Sequence, residues 1–336
     1  MKINNRRYIG CKTKLLEFIE NTIEEYNFPV GSTLADIFAG TGVVANLFAN
    51  KGYKTIVNDM LYSNVVVYDA ILGAGKLNFN LLKSEIDYFN SLNPNNLSEN
   101  YFSKVYGNKY FSVNDCKIIG FIRDYIETNK NKYTTREYHY LISCLMYSCD
   151  KIANTVGHFE SFLKGQPSDK GVKLDMFEVN NDIYPAEIYN MDANALASLI
   201  KADIVYIDPP YNARQYVNFY HVLENLARWN KPEEFEGASM KFKRNELKSD
   251  YCRSKAPQLF EDLINNLDCR LIVVSYNNTY KAGSISSVNT ISEEDMIRIL
   301  SSKGKLTIKE KDYKAFNSGK TELEGHKEYL YICEVK

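Results

Sequence analysis

Asp208-Pro209-Pro210-Tyr211 sets a carboxylate, two ring-locked backbone units and an aromatic ring side by side. It follows Ala202-Asp203-Ile204-Val205-Tyr206-Ile207, an apolar run that reads as a buried strand. Neither proline can donate to a sheet ladder, so the strand stops there. An acid and a ring are thereby held on a stiff turn at a strand's end, the place where open α/β sheets bind ligands. A carbonyl, a carboxylate and a ring in fixed relation are what a planar amine substrate would require.

A second constellation lies earlier. Thr33-Leu34-Ala35-Asp36-Ile37-Phe38 reads as a strand, Ala39-Gly40-Thr41-Gly42 as a tight turn, and Val43 to Asn50 as a short helix. Lys54-Thr55-Ile56-Val57 is a second strand, ending in Asn58-Asp59. Glycines let the backbone approach a ligand, and an acid about 20 residues past the first strand can accept both hydroxyls of a ribose. A nucleoside-containing cofactor is indicated, against the plainer reading of an ordinary βα turn. The absence of GxxxxGK[ST] argues against a nucleoside triphosphate, and that of GxGxxG lowers the dinucleotide option. Asp192, in Ile188-Tyr189-Asn190-Met191-Asp192-Ala193-Asn194, is either a helix cap or an acceptor for a cofactor base at a third strand's end.

These groups need a frame. Arg6-Arg7-Tyr8-Ile9-Gly10-Cys11-Lys12 leads into an amphipathic helix through Phe18, Ile19 and Ile23, and a further helix is predicted from Asn64 to about Gly75. Residues 76–189 show helical periodicity with polar loops, and their many aromatics read mostly as core. The 150–164 segment reads as a loop whose purpose spacing does not name. Lys241, Lys243 and Arg244 open a basic stretch with interleaved aromatics, where a phosphate-contacting loop competes with a solvated face. Gln258–Leu267 and Ser292–Lys303 read as helices, Arg270–Tyr276 as a buried strand, and Lys305–Lys309 with Tyr329–Val335 as a closing pair. Strands and helices alternating on both sides of an insert predict a doubly wound α/β sheet.

The chain has 336 residues, 45% of them hydrophobic, enough for a full core without disulfides. Its seven cysteines show no CxxC pair and no zinc spacing, so they read as reduced thiols and no metal is expected. No apolar run approaches the ~20 residues of a membrane span. Nor does the N-terminus read as a signal peptide, so a cytoplasmic location without membrane contact is expected. Net charge is -1, which counts against a generic nucleic-acid coat but leaves room for a local basic groove.

Taken in order, Arg7-Tyr8-Ile9-Gly10-Cys11-Lys12, Phe38-Ala39-Gly40-Thr41-Gly42, Asn58-Asp59 and Asp208-Pro209-Pro210-Tyr211 resemble the D12 class of adenine-specific DNA methyltransferases, most closely the subgroup of type II restriction-modification systems. The Asp150–Thr155 block, Asn212-Ala213-Arg214-Gln215-Tyr216, Tyr220–Glu224 and Ser275–Asn278 match as well, so the likeness runs from about Arg6 to Val335. It implies a mostly parallel seven-stranded, Rossmann-like sheet that binds S-adenosylmethionine, formed by residues 1–75 and 190–336, with 76–189 as a helical target-recognition insert. By motif position Tyr8, Gly10 and Lys12 resemble the N-terminal cofactor element, and Asp36, Phe38, Gly40 and Gly42 the methionine-side loop. Asp59 resembles the ribose acid, Asp192 the acid for the adenine amine, and Asp208 to Tyr211 the catalytic tetrad, with Asp208 also facing the cofactor. Tyr8 stands where some relatives have Trp, and Cys11 where some have Gly or Ser.

The implied reaction is methyl transfer to the N6 amine of an adenine flipped out of double-stranded DNA. The Asp208 carboxylate and the Pro209 carbonyl would hold the amine's hydrogens and localise its lone pair, and Tyr211 would stack on the base. Arg214, Lys241, Lys243 and Arg244 are the candidate DNA contacts, and a cognate restriction endonuclease is the candidate partner. None of the cysteines follows a proline, against the nucleophile of cytosine-C5 methylation. The competing readings are an N4-cytosine or ribosomal-RNA adenine methyltransferase, a catalytically silent DNA-binding module, and a dinucleotide-dependent oxidoreductase.

Overall fold

A computed structural model describes residues 7–279, 288–312 and 327–336. Arg6, at the head of the first motif, lies outside the described residues. The chain divides into two compact units.

The first to consider is built from 10–60, 183–216 and 247–336. Its strands are β1 (Thr33–Asp36), β2 (Lys54–Asn58), β3 (Glu187–Tyr189), β4 (Ile204–Ile207), β5 (Leu271–Asn277), β6 (Gly304–Asp312) and β7 (Lys327–Val335). They form one seven-stranded sheet in the order β3-β2-β1-β4-β5-β7-β6. The first five strands of that order run parallel. β7 lies antiparallel between β5 and β6, as the predicted closing pair.

Alternate residues bury on opposite faces, as a sheet covered on both sides requires. Leu34, Ile204, Tyr206, Leu271, Val273, Leu330 and Ile332 pack with Ile19 and Ile23 of the helix Leu16–Glu24 and with Phe48 of Val43–Asn50. Ala35, Ile37, Val205, Ile207, Ile272, Val274, Tyr331 and Cys333 face the helices Ala193–Ala197, Ala256–Asn266 and Glu293–Lys303. The Ser292 side chain caps the last of these by accepting from the Asp295 N–H. The predicted doubly wound sheet is thus present.

The second unit comprises 1–9, 61–182 and 217–246 and is mostly helical. It takes in more chain than the expected 76–189. The helix Tyr62–Leu72 packs on Thr135–Ile152, where Arg136 Nε and Nη2 donate to the Ala70 and Ile71 carbonyls. The end of Tyr216–Arg228 is held through the Leu226 and Ala227 carbonyls by Arg123. Thr135–Ile152 starts at a capping box, with the Thr134 side chain and Glu137 bonding each other's backbone N–H. Phe102, Tyr106, Tyr110 and Phe111 are buried, so these aromatics are core.

Candidate active site

β4 ends at Ile207, and Asp208 to Tyr211 follow as the turn beyond it. Lys12 Nζ lies 2.8 Å from Asp208 Oδ1 and donates to the Tyr211 hydroxyl at 2.6 Å. That hydroxyl is 2.6 Å from Asp208 Oδ1 and 2.7 Å from Glu328 Oε1, so its single proton is shared between two carboxylates. Lys12 Nζ also reaches Glu328 Oε1 at 3.3 Å. The Ser275 hydroxyl donates to the same Glu328 oxygen at 2.8 Å. The Tyr211 ring is set by Tyr276, whose ring packs edge-on at 4.7 Å and whose hydroxyl donates to the Tyr211 carbonyl.

The electrostatics follow from burial and the uneven count of charges. Burial lowers the pKa of a lysine, but Asp208 and Glu328 outweigh it and hold that of the Lys12 ammonium above its usual range. Burial pushes the Asp208 carboxyl up, and Glu328 pushes it further, while Lys12 and the Tyr211 hydroxyl oppose both. Burial and the two acids raise the Tyr211 phenol well above its ordinary value. Lys12 and Tyr211 both engage Asp208 Oδ1, and Oδ2 takes part in neither contact.

A second group forms past β1. Gly40 and Gly42 have φ of 53° and 73°, left-handed values that strain any side chain. Asp59 Oδ2 accepts the Gly40 N–H at 3.0 Å, pinning the turn to the end of β2. Asp36 is 1% exposed, and its Oδ1 finds no partner among the described residues. Burial, then the nearby Asp208, pushes its carboxyl well above the carboxylate range, against a hydrogen bond from the Ala45 N–H. Phe38 packs edge-on to Tyr251 at 5.1 Å. Gly10 has φ 79°, and a Cβ there would come within 3.1 Å of the Tyr216 hydroxyl.

Asp192 sits past β3 and caps Ala193–Ala197, with Oδ1 accepting from the Asn194 and Ala195 N–H groups. The cap was one of its two sequence readings; Oδ2 takes neither bond. Arg214 is exposed in the loop beyond the tetrad.

The remaining expected site residues belong to the helical unit. There the Tyr8 ring stacks on Tyr220 at 4.4 Å and 6°, and the Tyr8 hydroxyl accepts from Asn64 Nδ2. Lys243 is exposed and Lys241 half-buried. Arg244 departs from the sequence expectation of a DNA contact. It is buried, and its guanidinium donates to Asn218 Oδ1, Glu236 Oε2 and the Phe242 carbonyl. It fastens the hairpin of Phe235–Glu236 and Lys241–Phe242, so it is structural.

Sequence reasoning missed two residues. Asn58, buried at the end of β2, donates to the Ile37 and Met191 carbonyls and accepts the Met191 N–H. It ties together the strand ends that carry Phe38, Asp59 and Asp192. Glu328 was overlooked although Glu328, Leu330 and Ile332 alternate on one face of β7. An acid in register with two core aliphatics was the available signal.

A family model described as D12 class N6 adenine-specific DNA methyltransferase matches residues 8–294. Modification methylase StsI of Streptococcus sanguinis is 36% identical, with 93% of this chain and 49% of StsI covered. Type II methyltransferase M.NlaIII of Neisseria lactamica is 33% identical, with 97% and 98% covered. Type II methyltransferase M.CviAII of Paramecium bursaria Chlorella virus 1 is 28% identical, with 99% and 100% covered. The chain therefore spans about half the length of StsI and nearly all of the other two. With the ordered motifs, the seven-stranded sheet and the acid–lysine–tyrosine cluster beyond β4, the chain belongs to the D12 class N6 adenine-specific DNA methyltransferase family.

Proposed function

We propose that the chain transfers a methyl group from S-adenosylmethionine to the N6 amine of an adenine flipped from double-stranded DNA, as the modification enzyme of a restriction-modification system. The observation that carries this reading is the Lys12–Asp208–Tyr211 cluster at the end of β4, within a chain of this family. When bound, S-adenosylmethionine supplies a methyl group on a sulfonium, an electrophile that needs no enzyme nucleophile.

The fit of that cofactor is tested by Asp36. A buried carboxylate oxygen without a partner suits an ammonium group such as the one on the methionine end. Asp59 at the end of β2 suits ribose hydroxyls, and Asp192 Oδ2 suits an adenine amine. Gly10, Phe38, Gly40 and Gly42 would line the approach, and Tyr8 is assigned to the same element by motif position.

For the target, Asp208 Oδ2 and the Pro209 carbonyl accept the amine hydrogens and localise the nitrogen lone pair. Pro209 and Pro210 keep that carbonyl stiff, and the Tyr211 ring offers a stacking face. Arg214, Lys241 and Lys243 are read as phosphate contacts. The helical unit is read as the target-recognition part, and a cognate endonuclease as the partner system's second enzyme. Among the described residues no helix is long and apolar enough to cross a membrane; we place the reaction in the cytoplasm.

The test is incubation with radiolabelled S-adenosylmethionine and unmethylated duplex DNA, with ribosomal RNA in parallel, followed by mass spectrometry of the modified base. N6-methyladenine in DNA is expected. Label only in RNA, or as N4-methylcytosine, overturns the substrate; no label at all overturns the activity.

A further inference from the structure

Glu328 is a charged side chain in an expensive place. It is 2% exposed on β7, in register with the core residues Leu330 and Ile332. An uncompensated buried carboxylate is strongly destabilising, and a glutamine could answer the Ser275 and Tyr211 hydroxyls without that penalty. What a glutamine could not supply is a negative charge beside Lys12.

We infer that Glu328 is a positioning residue of the methyl transfer: it shares the Lys12 ammonium and the Tyr211 hydroxyl with Asp208, so that these two donors draw less on the Asp208 carboxylate and leave its acceptor strength for the adenine amine. The inference rests on the methyltransferase reading. With Lys12 and Asp208 alone, the two would form a neutral pair, and the carboxylate's electron density would be spent on the ammonium. Glu328 gives that ammonium a second acid, at 3.3 Å against 2.8 Å, and leaves the cluster with a net negative charge. It also anchors the far side of the Tyr211 hydroxyl, which fixes the ring's tilt.

The groups facing this cluster come from every neighbouring element. Lys12 comes from the turn ahead of the helix Leu16–Glu24, Asp36 from β1, and Tyr206 from β4. Ser275 and Asn277, the cross-strand neighbour of Glu328, belong to β5. Lys311, opposite Glu328 on β6, has its ammonium 5.7 Å from the centre of the Phe18 ring. Removing the Glu328 charge lets Asp208 ionise at lower pH, because a nearby like charge disfavours ionisation.

The experiment measures turnover and KM for DNA and S-adenosylmethionine across pH for the wild type, Glu328→Gln and Glu328→Asp. Cofactor binding is followed by calorimetry and folding by thermal denaturation. Glu328→Gln is expected to lose on the order of tenfold in kcat with little change in either KM. Its acid limb should move to lower pH, and Glu328→Asp should return the limb to its wild-type position. Ser275→Ala, which removes the hydroxyl that donates to Glu328 and keeps the Glu328 carboxylate, should shift the limb slightly without loss of folding, and it serves if Glu328→Gln does not fold. An unchanged kcat and pH profile in a folded Glu328→Gln overturns the inference. So does a loss of kcat of equal size in Gln and Asp variants with the acid limb unmoved, and so, where Glu328→Gln does not fold, does an unmoved limb in Ser275→Ala. A wild type that transfers no label overturns the methyltransferase reading itself.

Discussion

Two buried charge clusters, one in each unit, are built on opposite plans. In the helical unit Arg123 is 1% exposed and spends its guanidinium on the Leu226 and Ala227 carbonyls, on Glu127 and on the Tyr138 hydroxyl. Glu224 is fully buried and accepts the Tyr62 and Ser63 N–H groups and Arg228 Nε. Both charges finish helix ends, satisfying backbone groups that a helix leaves open. In the sheet unit Lys12, Asp208, Tyr211 and Glu328 bond one another, with two acids to one cation. In the helical unit each charge reaches helix-end backbone as well as side chains and holds a scaffold; in the sheet unit the four side chains bond one another, with an acid in excess.

The largest expected effect is a separation of activity from stability. Asp208→Ala should lower turnover by about 10³-fold or more, since it removes a preorganised acceptor, with cofactor binding largely intact by calorimetry. Arg123→Met should do the reverse. It leaves the Leu226 and Ala227 carbonyls without their buried donor, at a cost of about 1–3 kcal/mol in urea unfolding, with turnover per folded molecule unchanged. An Asp208→Ala enzyme that still turns over, or an Arg123→Met enzyme as stable as wild type, would dissolve the distinction.

Acid should separate the two units as well. His221 is buried, its Nε2 donates to the Phe159 carbonyl at 2.9 Å, and burial pulls its pKa down to about 3. The unfolded chain takes up the proton near 6.5, so stability is full above that pH and falls by about 1.4 kcal/mol per unit as pH drops toward 3. His221→Gln should flatten this slope in urea titrations at several pH values. Asp208 acts differently: its raised pKa means that turnover is lost on acidification through protonation of the acceptor, in folded enzyme. Parallel loss of activity and circular dichroism in both proteins would refute this split.

Much of the sheet unit was legible because each central strand is apolar and ends at a punctuating residue. β4 stops at Pro209 and Pro210, and β1 at the turn of Gly40 and Gly42. The closing pair was read short, as Lys305–Lys309 and Tyr329–Val335, where the strands run Gly304–Asp312 and Lys327–Val335. β6 is an edge strand whose exposed charges dilute its alternation, and Glu328 was lost at the margin of β7. Arg244 was misread because its partner Glu236 sits on a two-residue strand that no pattern marks. The 150–164 loop was opaque for the same reason of distance in sequence. The Asp150 carboxylate accepts the Arg7 N–H, and the Asn154 N–H bonds the Tyr110 carbonyl, partners 143 and 44 residues away.

Asp36 offers the finest test of the comparison, because it combines both plans in one side chain. One part of its carboxylate accepts from the Ala45 N–H in the first turn of a helix, a scaffold bond, and Oδ1 is buried with no partner among the described residues. Its folded pKa is raised, so the stability it contributes is present at low pH and lost as pH rises through that value. Asp36→Asn cannot ionise and avoids the loss, so it should raise the Tm by a few degrees at neutral pH and little at pH 4. The same change removes the charge offered to an ammonium, and it should weaken S-adenosylmethionine binding by about tenfold, or about 1.4 kcal/mol. Scanning calorimetry at two pH values and a binding titration measure both halves. A lower Tm with unchanged affinity would make Asp36 a cap and nothing more; a higher Tm with weaker binding would show a charge kept at the expense of stability for the sake of a ligand.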